Sequence, residues 1–326
     1  MGELVYIGSC SGTLFALDRG DGRVRWSHDV KPDGRPTSFH GDPLVTESLI
    51  VIGTDGGNQQ DHGSHIWAFA LDSGAVRWVC AVEDGIVSDI VRAGDRLLAI
   101  TRADSLLCLD LASGRRLWSF PGRVDGSDFE FLYRSPAVAG ARAFFGDAEG
   151  KVHALDLVSG RSLWTRPLDA PISTGILAIG DELVLADQHG SVHRLDQTTG
   201  AVRANIPVGG TFNGPPITIG DSLVVLAGQR AILCLDLAAA RVRWTRTLAL
   251  SSSRPYLWRG TVLAGTVKGE LFAFRANDGL PLWSGAFVGK IRGIGQDDRV
   301  LYLGTQEGMI YAYTRGTAGG VNTILR

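Results

Sequence analysis

The phrase "HALDLVSGRSLW", residues 153–164, returns with small changes along the whole chain. It reads "FALDRGDGRVRW" at 15–26, "LCLDLASGRRLW" at 107–118, "LCLDLAAARVRW" at 233–244 and "FAFRANDGLPLW" at 272–283. A shortened copy, "FALDSGAVRW", lies at 69–78, a weaker one, "HRLDQTTGAVRA", at 193–204, and a degenerate one, "YAYTRGTAGGVN", at 311–322. The closing position falls at Trp26, Trp78, Trp118, Trp164, Ala204, Trp244, Trp283 and Asn322, at steps of 52, 40, 46, 40, 40, 39 and 39 residues. Self-similarity at such a period restricts a chain to solenoids, propellers or arrays. Eight units with insertions in the second and fourth copies nearly exhaust the 326 residues, so a single domain over 1–326 is expected.

Each unit is written in strand language. Short apolar runs such as "LVVLAG" and "VLYLGT" are bounded by Gly and Asp turns, and no helical pattern of useful length appears. The stretch "TGILAIGDELVLADQHGSVHRLDQTTG" reads strand, "GD" turn, strand, glycine turn, strand, "TG" turn, with a last strand beyond. Four antiparallel strands per period define the blade of a propeller. The expected fold is all-β: an eight-bladed β-propeller of four-stranded antiparallel blades. Within a blade, Asp156 can bind backbone N–H groups of its own turn and Gly160 can take the left-handed conformation that closes it. The docking tryptophans Trp26, Trp78, Trp118, Trp164, Trp244 and Trp283 each offer a large apolar body to fill the wedge between blades.

The pattern carried by Gly150, Ala154, Leu155, Asp156, Ser159, Gly160 and Trp164 resembles the tryptophan-docking repeat of pyrroloquinoline-quinone-type propellers. The resemblance covers the whole chain. Within that family a single eight-bladed domain is similar to the scaffold lipoproteins of the bacterial outer-membrane barrel-assembly machinery. It implies a non-enzymatic scaffold, a protein partner and a periplasmic or cell-envelope location. The enzyme branch, the quinone-dependent alcohol dehydrogenases, implies adjacent cysteines in a vicinal disulfide and a calcium ion held by acidic and amide ligands. No two of the four cysteines adjoin here, and no catalytic motif of another class is present, so no cofactor is expected.

Charge and hydropathy narrow the partners. A net charge of −2 offers no electrostatic case for nucleic acid, and no apolar run approaches the length of a spanning helix. The given sequence opens on the strand pattern "MGELVYIGS", so no signal peptide is expected within it, which leaves open an exported precursor that has lost one, and a monomer is expected. Cys108 and Cys234 occupy the slot held by Ala16, Ala154 and Ala273 in other copies, a small buried position.

Loop elaboration is one-sided. Insertions at 55–65, "DGGNQQDHGSH", at 121–134, "PGRVDGSDFEFLYR", and at "KPDGRPTSF" belong to second-to-third-strand turns and outer-to-inner connections, which share one face. The opposite turns, "AGDR", "IGDE", "IGDS" and the "SG" series, stay minimal. Elaborated loops on a rigid scaffold are where binding resides. Near the entrances of the inner strands lie His40, Asp42, Ser88, Asp89, Arg134, Ser173, Asn213, Arg254 and Arg292. Arg134, Arg254 and Arg292 can clamp a carboxylate or phosphate at a channel mouth, which defines a small-ligand or saccharide sensor as the alternative. They can equally pair with Asp42, Asp89 or backbone carbonyls and plug that mouth, which favours a protein-binding scaffold. Asp61, His62 and His65 are weak metal candidates, better explained by turn chemistry. The tail 319–326 can be the outer strand of the eighth blade or the inner strand of the first. The likeness of "GGVNTILR" followed by "MGELVYIG" to "GGTFNGPPITIGDSLVVLAG" favours the inner position, with both termini in one blade.

Overall fold

The computed structural model describes residues 3–9, 11–31, 38–39, 41–55, 63–86, 88–122, 134–212, 214–220, 223–228, 230–248, 254–296, 299–305, 309–314 and 321–325, the last segment by its backbone. The strands fall into eight antiparallel sheets. The chain is an eight-bladed β-propeller, and it divides into two compact units, Met1–Pro167 and Leu168–Arg326, with four sheets each.

Among the described residues the first sheet has three strands, β1 (Leu4–Gly8), β2 (Thr13–Asp18) and β3 (Val24–Asp29). The second sheet breaks its inner strand into Ser38–Phe39 and Leu44–Val45, both pairing with Leu49–Asp55. The remaining six sheets have four strands in sequence order, as in Leu177–Ile179, Glu182–Ala186, Ser191–Asp196 and Val202–Pro207. The tail departs from the expected position. Val321–Leu325 pairs with Ile310–Thr314 as the outer strand of the eighth sheet, with Ala312 opposite Asn322. That register repeats Ala273 opposite Trp283, so the periodic spacing outweighs the local likeness that favoured an inner strand.

The hydrophobic core lies between neighbouring sheets. Leu14 and Val30 of the first sheet pack with Phe39, Ile50, Ile52 and Phe69 of the second, and Val51, Ile66 and Ala68 of the second with Leu97, Ala99 and Leu109 of the third. In the second unit, Val184 and Val192 meet Val224, Leu233 and Leu235, and Leu263 and Ala273 meet Leu301 and Leu303. The second strands, such as Arg96–Ile100, Arg142–Gly146 and Glu182–Ala186, therefore bury apolar residues on both faces, which explains runs such as "LVVLAG" that lack polar alternation.

The repeated phrase acts at these junctions. Trp78 sits against Gly114 of the next sheet so closely that a Cβ there would stand 2.3 Å from the indole, and Trp118 meets Gly160 and Trp244 meets Gly279 at 2.6 Å in the same way. The indole Nε1 of Trp78, Trp118 and Trp244 donates to Leu111, Leu157 and Ala276 carbonyls, each at 3.0 Å. Gly114, Gly160 and Gly279 have φ of 69°, 70° and 67°, so the turn needs glycine for its backbone and for the close approach. Asp156 Oδ1 accepts from Ser159 N at 2.7 Å and Ser159 Oγ at 2.6 Å, which holds that turn as expected. A bulge precedes each docking position: Ala154 pairs with Trp164 but Leu155 pairs with Ser162, leaving Leu163 unpaired. The same shift follows Ala16, Ala68, Cys108, Arg194, Cys234 and Ala273. Bulged outer strands are poor templates for edge-to-edge pairing.

Candidate functional site

In several blades the residue that ends the second strand caps the turn into the third with its side chain. Asp147 Oδ1 accepts from Lys151 N at 2.8 Å, Asp187 Oδ1 from Ser191 N at 2.9 Å, and Thr101 Oγ1 from Ser105 N at 3.2 Å. The third position after the cap is glycine in most copies, as at Gly150, Gly190 and Gly269, with φ of 83°, 82° and 79°. In the third blade that slot holds Asp104, which adopts φ 61° without being glycine. A polar residue in the left-handed region is a local cost that invites a functional reading.

The structure shows what Asp104 does there. Its carboxylate forms an ion pair with Arg134 at the entrance of the next inner strand, and its Oδ2 accepts from Ala148 N at 3.1 Å. Asp104 is 1% exposed and Arg134 6%, so the guanidinium is withdrawn from solvent. One blade earlier, Arg102 Nη1 reaches Asp55 Oδ1 at 3.3 Å, and Arg102 N donates to Gly85 O at 2.9 Å. Asp55 and Arg102 thus tie the second blade to the third, and Asp104 and Arg134 the third to the fourth. The described partner of Arg134 is Asp104, and Asp42 N donates to Asp89 Oδ1 at 3.0 Å. Ser88 is buried beside them, its Oγ directed to Ile100 O at 3.4 Å.

In the second unit, the Arg254 guanidinium stands 5.3 Å from the centre of the Tyr256 ring, half-buried, with its Cβ against Gly214. Ser173 Oγ donates to Ala186 O at 3.2 Å. His40, Asn213, Asp61 and His62 lie outside the described residues, as does the side chain of Arg292. His65 belongs to the strand Ser64–Ala70, its ring 5.7 Å from Trp67. Among the described residues no group of three or more His, Cys, Asp or Glu side chains is placed to hold a metal. Cys80, Cys108 and Cys234 are free thiols. Burial pushes the Cys108 thiol up and that of Cys234 up to about 11, which keeps both protonated and poorly nucleophilic.

Two buried acid–imidazole pairs share the same end of the blades. His153 Nε2 meets Asp147 Oδ2 at 2.9 Å while its ring stacks on Phe145, and His193 Nε2 meets Asp187 Oδ2 at 2.7 Å. Burial pushes the Asp147 carboxyl up, but the His153 bond and the backbone N–H groups of Lys151 and Glu149 bring it below the usual range. These groups lock turns and are too enclosed for reaction with a solute. Sequence reading missed Asp104 as a functional position, although an Asp in the repeat's glycine slot was a visible signal.

The docking tryptophans, the glycine turns and the eight sheets define a propeller of pyrroloquinoline-quinone-like repeats. The chain belongs to the family described as outer membrane protein assembly factor BamB, whose model matches residues 1–84, 62–252 and 247–319. The fold is similar to that of BamB from Moraxella catarrhalis, with a TM-score of 0.80 and 18% identity over 96% of this chain and 94% of that one. It is also similar to a europium-containing methanol dehydrogenase, with a TM-score of 0.73 and 13% identity over 96% of this chain and 80% of the enzyme. A 77-residue stretch is 32% identical to the quinohemoprotein alcohol dehydrogenase ADH IIB of Pseudomonas putida; it is 24% of this chain and 11% of that enzyme's length. Among the described residues no helix is long and apolar enough to cross a membrane.

Proposed function

We propose that the chain is a non-catalytic scaffold that docks a protein partner through the face bearing the second-to-third-strand turns and the outer-to-inner connections. The observation that carries this reading is the enclosure of Arg134 by Asp104. A guanidinium spent on an internal ion pair is not offered to a soluble anion, and the pair stiffens the base from which the inserted loops spring. Membership of a family described as an outer membrane assembly factor supports a protein partner in that setting. The missing pair of adjacent cysteines speaks against a quinone site of the dehydrogenase kind. A small-ligand reading draws its support from Arg254, whose charge stands over an aromatic ring and is only half-buried.

The test is quantitative binding to a partner recovered from the native host. Substitutions within 123–133 are expected to weaken binding without loss of fold, while equivalent changes in the "IGDE" and "IGDS" turns at 179–182 and 219–222 leave it intact. Equal behaviour of the two sets would sink the one-faced docking idea. Protein mixed with pyrroloquinoline quinone and calcium is expected to reduce no dye with alcohols or sugars, and turnover above a boiled control decides for an enzyme.

A further inference from the structure

The docking indoles rest on glycines of the following turn. Trp26 lies over Gly74, Trp78 over Gly114, Trp118 over Gly160 and Trp244 over Gly279, where a Cβ would stand 2.3–2.6 Å from the ring. The joint between the fifth and sixth sheets departs from this pattern at three positions together: Ala204 takes the tryptophan slot, Ala240 the glycine slot and Arg194 the small slot opposite. Ala240 keeps the left-handed backbone of its slot, with φ 47°, which a residue with a Cβ holds only at a cost. Its N–H donates to Leu237 O at 3.3 Å, whereas the glycine turns bond one residue further back, as Gly160 N does to Asp156 O at 2.8 Å. The changes compensate one another. Without an indole the methyl of Ala240 meets no ring, and Arg194 Nη1 gives the Leu237 carbonyl, at 2.6 Å, the donor that Trp244 Nε1 gives to Ala276 O.

What holds this joint at its rim has therefore changed in kind. Glu182 grips Arg194 by two oxygens at 2.8 Å, and Arg203 binds Glu182 at 3.0 Å and Asp181 at 2.6 Å. Behind them Val184 and Val192 still pack on Val224 and Leu235. Parting an indole-held joint sets a large apolar ring in water. Parting this one returns guanidinium and carboxylate groups to water and regains the hydration that their pairing removed. We propose that the joint between the fifth and sixth sheets opens locally while the described indole-held joints stay closed, a point of release built into the repeat. It is independent of which face docks a partner.

Thiol labelling under native conditions tests it. Leu235 and Leu155 are both fully buried, follow the same bulge and face different joints. Leu235 packs with Val184 and Val192 between the fifth and sixth sheets, and Leu155 with Leu98 and Cys108, beside Trp118, between the third and fourth. With the four native cysteines replaced by alanine, Leu235→Cys and Leu155→Cys are matched probes. The thiol at 235 should label roughly tenfold faster or more, because its local opening exposes less apolar surface. Equal rates, or faster labelling at 155, would overturn the proposal. Restoring the repeat with Arg194→Ala, Ala204→Trp and Ala240→Gly together should slow labelling at 235 to the rate at 155 and leave 155 unchanged; a restored joint that labels as fast as before would sink the idea equally. Should that variant not fold, Glu182→Gln weakens the grip on Arg194 and should speed labelling at 235 by roughly threefold or more, with no change at 155. No change at 235 would show that the charged network does not close the joint.

Discussion

Asp104 holds a backbone conformation that the repeat elsewhere assigns to glycine, and its carboxylate is the described counter-charge of a buried guanidinium. Asp104→Gly relieves the backbone but removes the described counter-charge of the buried Arg134. Breaking one side of such a pair typically costs about 3–5 kcal/mol. Urea unfolding of Asp104→Gly should show a loss of that order, and Arg134→Met added to it should restore most of the stability, since an apolar pair of similar volume needs no counter-charge. A second residue-scale prediction concerns acid. Asp147 has a folded pKa below its unfolded value of about 3.9, so its contribution is full above that pH and lost as pH falls through the folded pKa. His153→Phe removes the imidazole partner; the stability gap to wild type should be largest near neutral pH and narrow below about pH 4. A gap independent of pH would show that the bond to Asp147 contributes nothing.

The junction between blades is the recurring element, and it tolerates one rewritten copy. Where other blades set a small residue opposite Trp, the fifth sets Arg194 opposite Ala204. The large side chain has moved to the neighbouring strand, and Arg194 Nη1 reaches Leu237 O at 2.6 Å, the carbonyl position that an indole occupies elsewhere. Glu182 holds the guanidinium by two oxygens at 2.8 Å, and Arg203 joins it at 3.0 Å. Arg194→Ala should therefore cost about 1–3 kcal/mol through an unsatisfied Leu237 carbonyl and the loss of the two-oxygen grip on Glu182, which keeps Arg203, read from denaturant midpoints. The glycine turns give a matched pair. Gly94 and Gly114 both have positive φ, 64° and 69°, but a Cβ meets open space at Gly94 and the Trp78 ring at Gly114. Gly94→Ala should cost about 1 kcal/mol for its backbone alone, and Gly114→Ala about 1–3 kcal/mol more for displacing the indole. Equal losses would mean that the tryptophan does not depend on that close approach.

At the scale of the whole chain, eight sheets share one repeat, and the last of them takes its outer strand from the C-terminal segment Val321–Leu325. Deleting 319–326 removes a strand whose described pairing is with Ile310–Thr314. Its loss should lower the melting temperature by only about 2–4 °C per kcal/mol removed, whereas a much larger collapse in calorimetry would show that the tail does more than complete one sheet.

The periodic features were legible without coordinates. The blade count, the strand-turn-strand rhythm, the Asp-bound turns, the small slot of Cys108 and Cys234 and the docking role of the tryptophans all follow from local chemistry repeated at a fixed interval. Strand period and turn residues act over a few neighbours, so a linear text records them. Contacts between copies were not legible. Asp104 finds Arg134 across 30 residues, and Arg194 finds Leu237 across 43, with nothing in their spacing to mark the pairs. Sequence likeness drew the tail toward the first blade, while backbone register put it on the eighth. Repetition by itself determined what a blade is. Which side chain meets which across a junction was decided only in three dimensions, because charge pairing and packing depend on distances that the repeat brings close without naming the partners.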